Sequence, residues 1–323
     1  MEYTNLYNGK QINAKLLRSK PNANKATIIL IDGFFDIAYD AKGNSIWPFN
    51  NNKKFGTSEL GIDPNEFDIY TIGLKKDCTG LGDAALEVSE FISALPEYQQ
   101  LNLLGISKGG PVFCKALEGL SNTLLEKINL FTVSSPFTGT ILATPEKLKQ
   151  EAHKKLSFLG DWAYKNMYEK TYTYSPVDSD IGIDTTFIKS LETSKAFLKK
   201  VNFTNIVTQC TSNTFFQSCR KGDINAIMLH ILNLAIVKGD GIVSTESQEA
   251  FSKLATNIIY LSSPHSWTLS HAKIANQIGK IMAQTTLDRE FKLGIKIGDI
   301  KNSLLIEPII YTKQREGSTN EHE

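Results

Sequence analysis

Arginine is scarce in this chain of 323 residues, with 4 of the 35 basic side chains, the rest being lysine. Arginine is the usual fork for phosphate and base recognition, so its scarcity weighs against a nucleic-acid partner. Net charge is also lacking: 35 basic and 34 acidic groups leave a formal +1. No excess of one sign draws the protein to nucleic acid or to an anionic membrane. The four cysteines, Cys78, Cys114, Cys210 and Cys219, form no C-x-x-C pair and no zinc spacing, which excludes the common thiolate metal motifs. No run approaches the roughly 18 apolar residues of a membrane-spanning helix. The opening Met1-Glu2-Tyr3-Thr4-Asn5 lacks the basic and apolar regions of a signal peptide, and a cytoplasmic location is the expectation. A disordered chain is excluded in turn, because 41% hydrophobic and 21% charged residues are ordinary globular usage.

What is present is a rhythm. Asn8-Gly9 predicts a two-residue hairpin turn between Tyr3–Tyr7 and Ile12–Leu17. Apolar strand runs follow at Ala26–Ile31, Phe67–Leu74, Leu101–Leu104 and Ile128–Val133. Between them, helical spacing appears over Asp83–Leu95, ended by Pro96, and over Gly109–Leu120, with Pro111 in its first turn. Strand alternating with helix predicts an α/β fold whose central sheet is mainly parallel and flanked by helices. The rhythm then breaks. Pro145–Tyr168 and Thr185–Lys200 read as helices, strands return at Asn205–Thr208 and Asn257–Leu261, and His271–Gln284 reads as a last amphipathic helix. Residues 36–66 read as a long polar loop and the tail from 317 as a frayed end.

The sharpest motif is Gly105-Ile106-Ser107-Lys108-Gly109-Gly110, which fits G-x-S-x-G between a strand and a helix. A nucleophile on so tight a turn leaves no space for side chains two positions either side, hence Gly105 and Gly109. A serine hydroxyl is a weak nucleophile and needs a base. The five histidines are His153, His230, His265, His271 and His322. His153 lies in a helix, His230 in the apolar run Ala226–Val237, and His322 in the tail. His265 follows the last strand by a short loop and is favoured as the base, with His271, at the start of the last helix, as the alternative. A third member should orient the histidine. Asp240, in Gly239-Asp240-Gly241 after the long apolar run, has the chain position for it, although Asp-Gly is also a common turn. The oxyanion of such a reaction needs two backbone N–H donors. Lys108, after the nucleophile, would supply one, and Phe34, in the loop after Ala26–Ile31, the other. Asp178, Asp180 and Asp184 have no calcium-loop spacing and read as a solvated loop.

At this point the chain resembles the α/β-hydrolase superfamily, and within it bacterial triacylglycerol lipases and GPI-inositol-deacylase-like serine esterases. The resemblance rests on Ile28–Phe35, the elbow Gly105–Gly110, Val133–Thr140, and Gly239–Val243 with Ser247, followed by His265-Ser266 and the helix with Ile274 and Ile278. Its spacing supports His265 over His271. The chain departs from the pattern at Asp32, where many relatives carry histidine, at Lys108 in place of methionine or glutamine, and at Phe137 in place of histidine. The resemblance implies one α/β-hydrolase domain over 1–323, with a helical cap or lid insertion at about 141–200 and the frayed tail at about 317–323.

The function expected is a serine hydrolase that cleaves carboxylic esters by a mechanism that needs no cofactor and no metal. Ser107, Asp240 and His265 would carry the reaction through an acyl-enzyme on Ser107, with a small-molecule ester bearing an apolar acyl group as substrate. The same triad would serve a thioesterase or acyltransferase, and a non-catalytic lipid-binding protein of the same fold is the rival from another class. Oligomeric state is silent in the sequence.

Overall fold

The computed structural model describes residues 4–16, 26–31, 67–75, 78–158, 161, 164–165, 179–222, 227, 230–231, 236–265 and 276–285. The loop at 36–66 and the tail from 317 lie outside the described residues. The described strands are β1 (Thr4–Asn8), β2 (Ile12–Leu16), β3 (Ala26–Ile31), β4 (Phe67–Leu74), β5 (Leu101–Ile106), β6 (Ile128–Val133), β7 (Asn202–Gln209) and β8 (Asn257–Ser262). They form one sheet in the order β1-β2-β4-β3-β5-β6-β7-β8. The pairs β1–β2 and β2–β4 are antiparallel, and every other pair is parallel. This is the α/β class expected, with a mainly parallel sheet. Its consequence is geometric: the C-terminal ends of β3 to β8 share one edge.

The strands form where apolar residues can cover both faces. Every position of β5 and β6 is buried. Alternation along β3 sends Ile29 and Ile31 into one core cluster and Ile28 and Leu30 into another. The first cluster is closed by the helix Leu81–Ser93, whose buried Leu81, Ala84, Ala85, Val88 and Ile92 follow a three-to-four spacing. The helices Gly109–Ala116 and Thr186–Leu198 close it further, through Val112, Phe113, Leu191 and Leu198. The second cluster is closed by Ile278 and Met282, on the helical residues 276–285.

Three expectations need correction. The first hairpin is present, but Asn8 is paired with Asn13 and the Gly9 N–H donates to the Ile12 carbonyl at 3.0 Å, so the turn falls at Lys10-Gln11 and not at Asn8-Gly9. A tertiary contact explains the shift: the Glu87 carboxylate accepts the N–H groups of Lys10, Gln11 and Ile12 at 2.7, 2.9 and 3.0 Å and so fixes the turn beyond the local signal. The helix expected over Pro145–Tyr168 spans Pro145–Leu156. Within the segment expected as a cap, 141–200, Thr186–Leu198 lies between β6 and β7 in the chain and packs Leu191 and Leu198 into the first core cluster. The Asp178–Asp184 stretch is likewise more than a solvated loop. Asp180 accepts the Leu81 N–H at 2.8 Å, so it caps a helix whose own N-cap, Gly80, has no side chain to offer. Burial lifts its carboxyl above the usual range despite that bond. Asp184 pairs with Lys147 at 2.6 Å. Asp178 lies outside the described residues.

Candidate active site

Ser107 ends β5 with φ of 52°. A serine in the left-handed region costs of order 1–3 kcal/mol and persists only where neighbours enforce it. The enforcement is visible. The Ser107 N–H donates to the Val133 carbonyl at 2.8 Å, and its carbonyl accepts the Gly110 N–H at 3.1 Å. A Cβ on Gly105 would stand 2.7 Å from Gly109 and Gly110 backbone atoms, and one on Gly109 would stand 2.3 Å from the Ile31 carbonyl oxygen. Both glycines singled out from the motif are therefore steric requirements. The third glycine is one too, since a Cβ on Gly110 would meet Ser135 Oγ at 2.0 Å. Ser107 Oγ is buried and has no hydrogen-bond partner among the described residues.

Asp240 and His265 come together although 25 residues apart. His265 Nδ1 lies 2.8 Å from Asp240 Oδ2, and the His265 backbone N–H donates to the Asp240 carbonyl at 2.9 Å. Asp240 is fully buried, and burying a carboxylate is costly unless donors surround it. They do. Its Oδ1 accepts the N–H groups of Ile242 at 3.0 Å and Val243 at 2.8 Å, and its Oδ2 also accepts the Thr208 hydroxyl at 2.8 Å. His265 Nδ1 is the ring nitrogen placed to donate to the carboxylate, and Nε2 is the one turned away from Asp240.

The topology sets all three residues on one edge. Ser107 follows β5, Asp240 comes after β7, and His265 follows β8, each beyond the C-terminal end of a parallel strand. Ligands of open α/β sheets bind at that edge. No family model and no curated protein matches the chain. Solved structures do: homoserine O-acetyltransferase from Staphylococcus aureus is similar with a TM-score of 0.50 at 10% identity, over 87% of this chain and 95% of that one. The chain has the α/β-hydrolase fold. The mature lipase BlEst2 from Bacillus licheniformis is similar with a TM-score of 0.49 at 15% identity, over 84% of this chain and 97% of that one. Est1E from Butyrivibrio proteoclasticus gives 0.43 at 14%, over 88% and 99%. At these identities the likeness concerns the fold alone.

Other expected residues find their places around this α/β-hydrolase sheet. Lys108 is the N-cap of Gly109–Ala116, with its side chain buried. Phe34, Asp32 and His271 lie outside the described residues. His153 is exposed and faces Asp161 at 2.8 Å. His230 is buried, with Nε2 2.8 Å from Thr214 Oγ1 and its ring beside Phe215, as a packed histidine would be. Phe137 stacks on Phe251 at 4.7 Å, so it serves the core. Among the described residues no three His, Cys, Asp or Glu side chains group as metal ligands, and no helix is long and apolar enough to cross a membrane.

The loops around Asp240 are stitched by Gln248, which sequence reasoning missed, and by Ser247, which the resemblance had marked without a role. Gln248 accepts the Thr208 N–H at 2.7 Å and donates to the carbonyls of Thr208 and Val243 at 3.0 and 3.2 Å. Ser247 donates to the Gly139 carbonyl at 2.8 Å and accepts the Thr138 N–H at 3.1 Å. Leu142, Leu148, Val237, Ile242 and Val243 form a small apolar cluster around the Asp240 loop. No local pattern marks Gln248 for this role, because its bonds to Thr208 span 40 residues of the chain.

Proposed function

We propose that the protein is a serine hydrolase of carboxylic esters that works through an acyl-enzyme on Ser107. The observation that carries this reading is the buried Asp240–His265 pair on the same sheet edge as a serine held in a strained turn. A strained serine and a buried carboxylate–imidazole pair at one sheet edge are what a nucleophilic site requires and what a mere scaffold avoids.

The chemistry follows from the protonation pattern. His265 Nε2 takes the Ser107 proton as Oγ attacks the ester carbonyl. Asp240 stabilises the imidazolium so formed and holds its orientation. The Lys108 N–H, at the start of a helix, and the Phe34 N–H receive the developing oxyanion. His265 then returns the proton to the leaving alcohol, which departs and leaves the acyl group on Ser107. Water, activated by the same imidazole, releases the acid and restores the enzyme. The substrate is a small ester with an apolar acyl group. The chain acts as one hydrolase unit, and the front of segment 141–200, with helix Pro145–Leu156, covers the site; Leu148 of that helix already packs with Ile242 and Val243 beside Asp240.

The test is an ester series of increasing acyl length, measured on wild type and Ser107→Ala. The reading expects turnover by wild type that rises beyond the acetyl ester and is lost in the variant. Wild type inert towards every chain length, or turnover undiminished in Ser107→Ala, would overturn it.

A further inference from the structure

Asp240 Oδ2 is shared between His265 and the Thr208 hydroxyl, each at 2.8 Å. Thr208 also touches Ser134, with the two hydroxyl oxygens 2.5 Å apart, and its Oγ1 lies 3.3 Å from Gln248 Oε1. All four residues are fully buried. Donor counting orders this cluster. A hydroxyl has one proton. An ionised carboxylate accepts and never donates, so the Thr208 proton goes to Asp240. The short contact to Ser134 then requires Ser134 to donate to Thr208. The result is a directed chain, Ser134 to Thr208 to Asp240, that meets the His265 proton on the same oxygen.

A second observation supports the chain. Ser134 has φ of 54°, nearly the Ser107 value of 52°. Its N–H donates to the Ile206 carbonyl at 3.1 Å, as the Ser107 N–H donates to Val133. The end of β6 therefore repeats the strained step at the end of β5. At β5 the step presents a hydroxyl with no described partner; at β6 it aims a hydroxyl at Thr208.

We infer that Thr208 is a positioning residue for the reaction, and that Ser134 sets the direction of its proton. This rests on the proposed triad. Thr208 touches neither substrate nor the reacting atoms. It fixes which lone pair of Asp240 Oδ2 faces His265, and it draws charge from that oxygen. Without it, Asp240 keeps three donors and stays ionised, but more of its charge falls on the imidazole. The protonated form of His265 is then favoured, so less free base is present at a given pH. Cys210 also lies in the field of Asp240. Burial and that charge push its thiol up to about 12, so it stays neutral through the working range and does not compete.

The test compares Thr208→Val, which keeps the shape and loses the hydroxyl, with Thr208→Ser, which keeps the hydroxyl. For Thr208→Val the expectation is a kcat lower by about tenfold, the loss of one hydrogen bond to a charged group. KM should change by less than about twofold, since ground-state binding is untouched. The acid limb of the kcat/KM profile should move to higher pH, and Thr208→Ser should restore both. An imidazole NMR titration, with His265 assigned by its loss in His265→Gln, should move the same way and needs no substrate. If Thr208→Val does not fold, Ser134→Ala is read instead, with a smaller shift in the same direction. A folded Thr208→Val with wild-type kcat and an unmoved His265 titration overturns the inference and leaves the hydrolase reading standing. Wild type that takes no fluorophosphonate label and hydrolyses no ester overturns the reading itself.

Discussion

The two ends of the parallel sheet are both buried and both polar, yet they are built by opposite rules. At the N-terminal end, Asn102, Asn129 and Asn202 occupy matched positions on β5, β6 and β7. Asn129 donates to Asn102 at 2.8 Å, Asn202 donates to Asn129 at 2.9 Å, and Asn102 donates to the Thr27 carbonyl at 3.1 Å. Neutral amides satisfy one another there, and the strand backbones run regularly. At the C-terminal end, two serines hold positive φ, and one carboxylate gathers four donors. Buried polarity alone therefore does not mark a site. Strain together with an ionised group does, because both cost stability and neither is needed to hold a sheet together.

This contrast predicts that damage at the two ends will separate cleanly. Ser107→Ala should lower kcat by about 10⁶-fold and leave the thermal midpoint close to wild type, as read by ester turnover beside a melting curve. Asp240→Asn should lower kcat by about 10⁴-fold, because an amide can hold the wrong imidazole tautomer; a rate within tenfold of wild type would remove Asp240 from its role. At the other end, Asn129→Ala should cost about 1–3 kcal/mol in urea denaturation, by removing the side-chain bonds to Asn102 and Asn202, with kcat of the folded protein unchanged. A fall in kcat larger than the lost folded fraction would erase the distinction between the ends. The smallest effect is expected at Glu87→Gln, beside the first hairpin. Replacing the carboxylate that holds the first hairpin turn should cost about 1 kcal/mol, seen as a lower urea midpoint with activity intact.

How much of this was legible in the sequence follows the range of each interaction. β3, β4 and β6 have the predicted bounds because a strand buried on both faces is a local apolar run. The elbow was legible because part of its crowding is local, Gly105 against Gly109 and Gly110, whereas the approach of Gly109 to the Ile31 carbonyl is not. The pairing of Asp240 with His265 could be expected from strand order, since loops after neighbouring parallel strands meet at one edge. Thr208 and Ser134 could not. They lie 74 residues apart and touch only because β6 and β7 pair in one particular register. The first turn misled for the same reason: Asn8-Gly9 is a strong local signal, and a carboxylate on a distant helix overrides it. The core role of Thr186–Leu198 was hidden by its amphipathic pattern, which a cap helix would share.

The central claim is that one strained serine, and not its near twin, is the nucleophile. Ser107 and Ser134 have φ of 52° and 54° and end adjacent strands. Labelling the intact protein with a fluorophosphonate, then locating the adduct by peptide mass spectrometry, separates them directly. The account predicts a single adduct on Ser107, absent in Ser107→Ala and strongly slowed in His265→Gln. An adduct on Ser134, or labelling of Ser107 at an equal rate without His265, would contradict it.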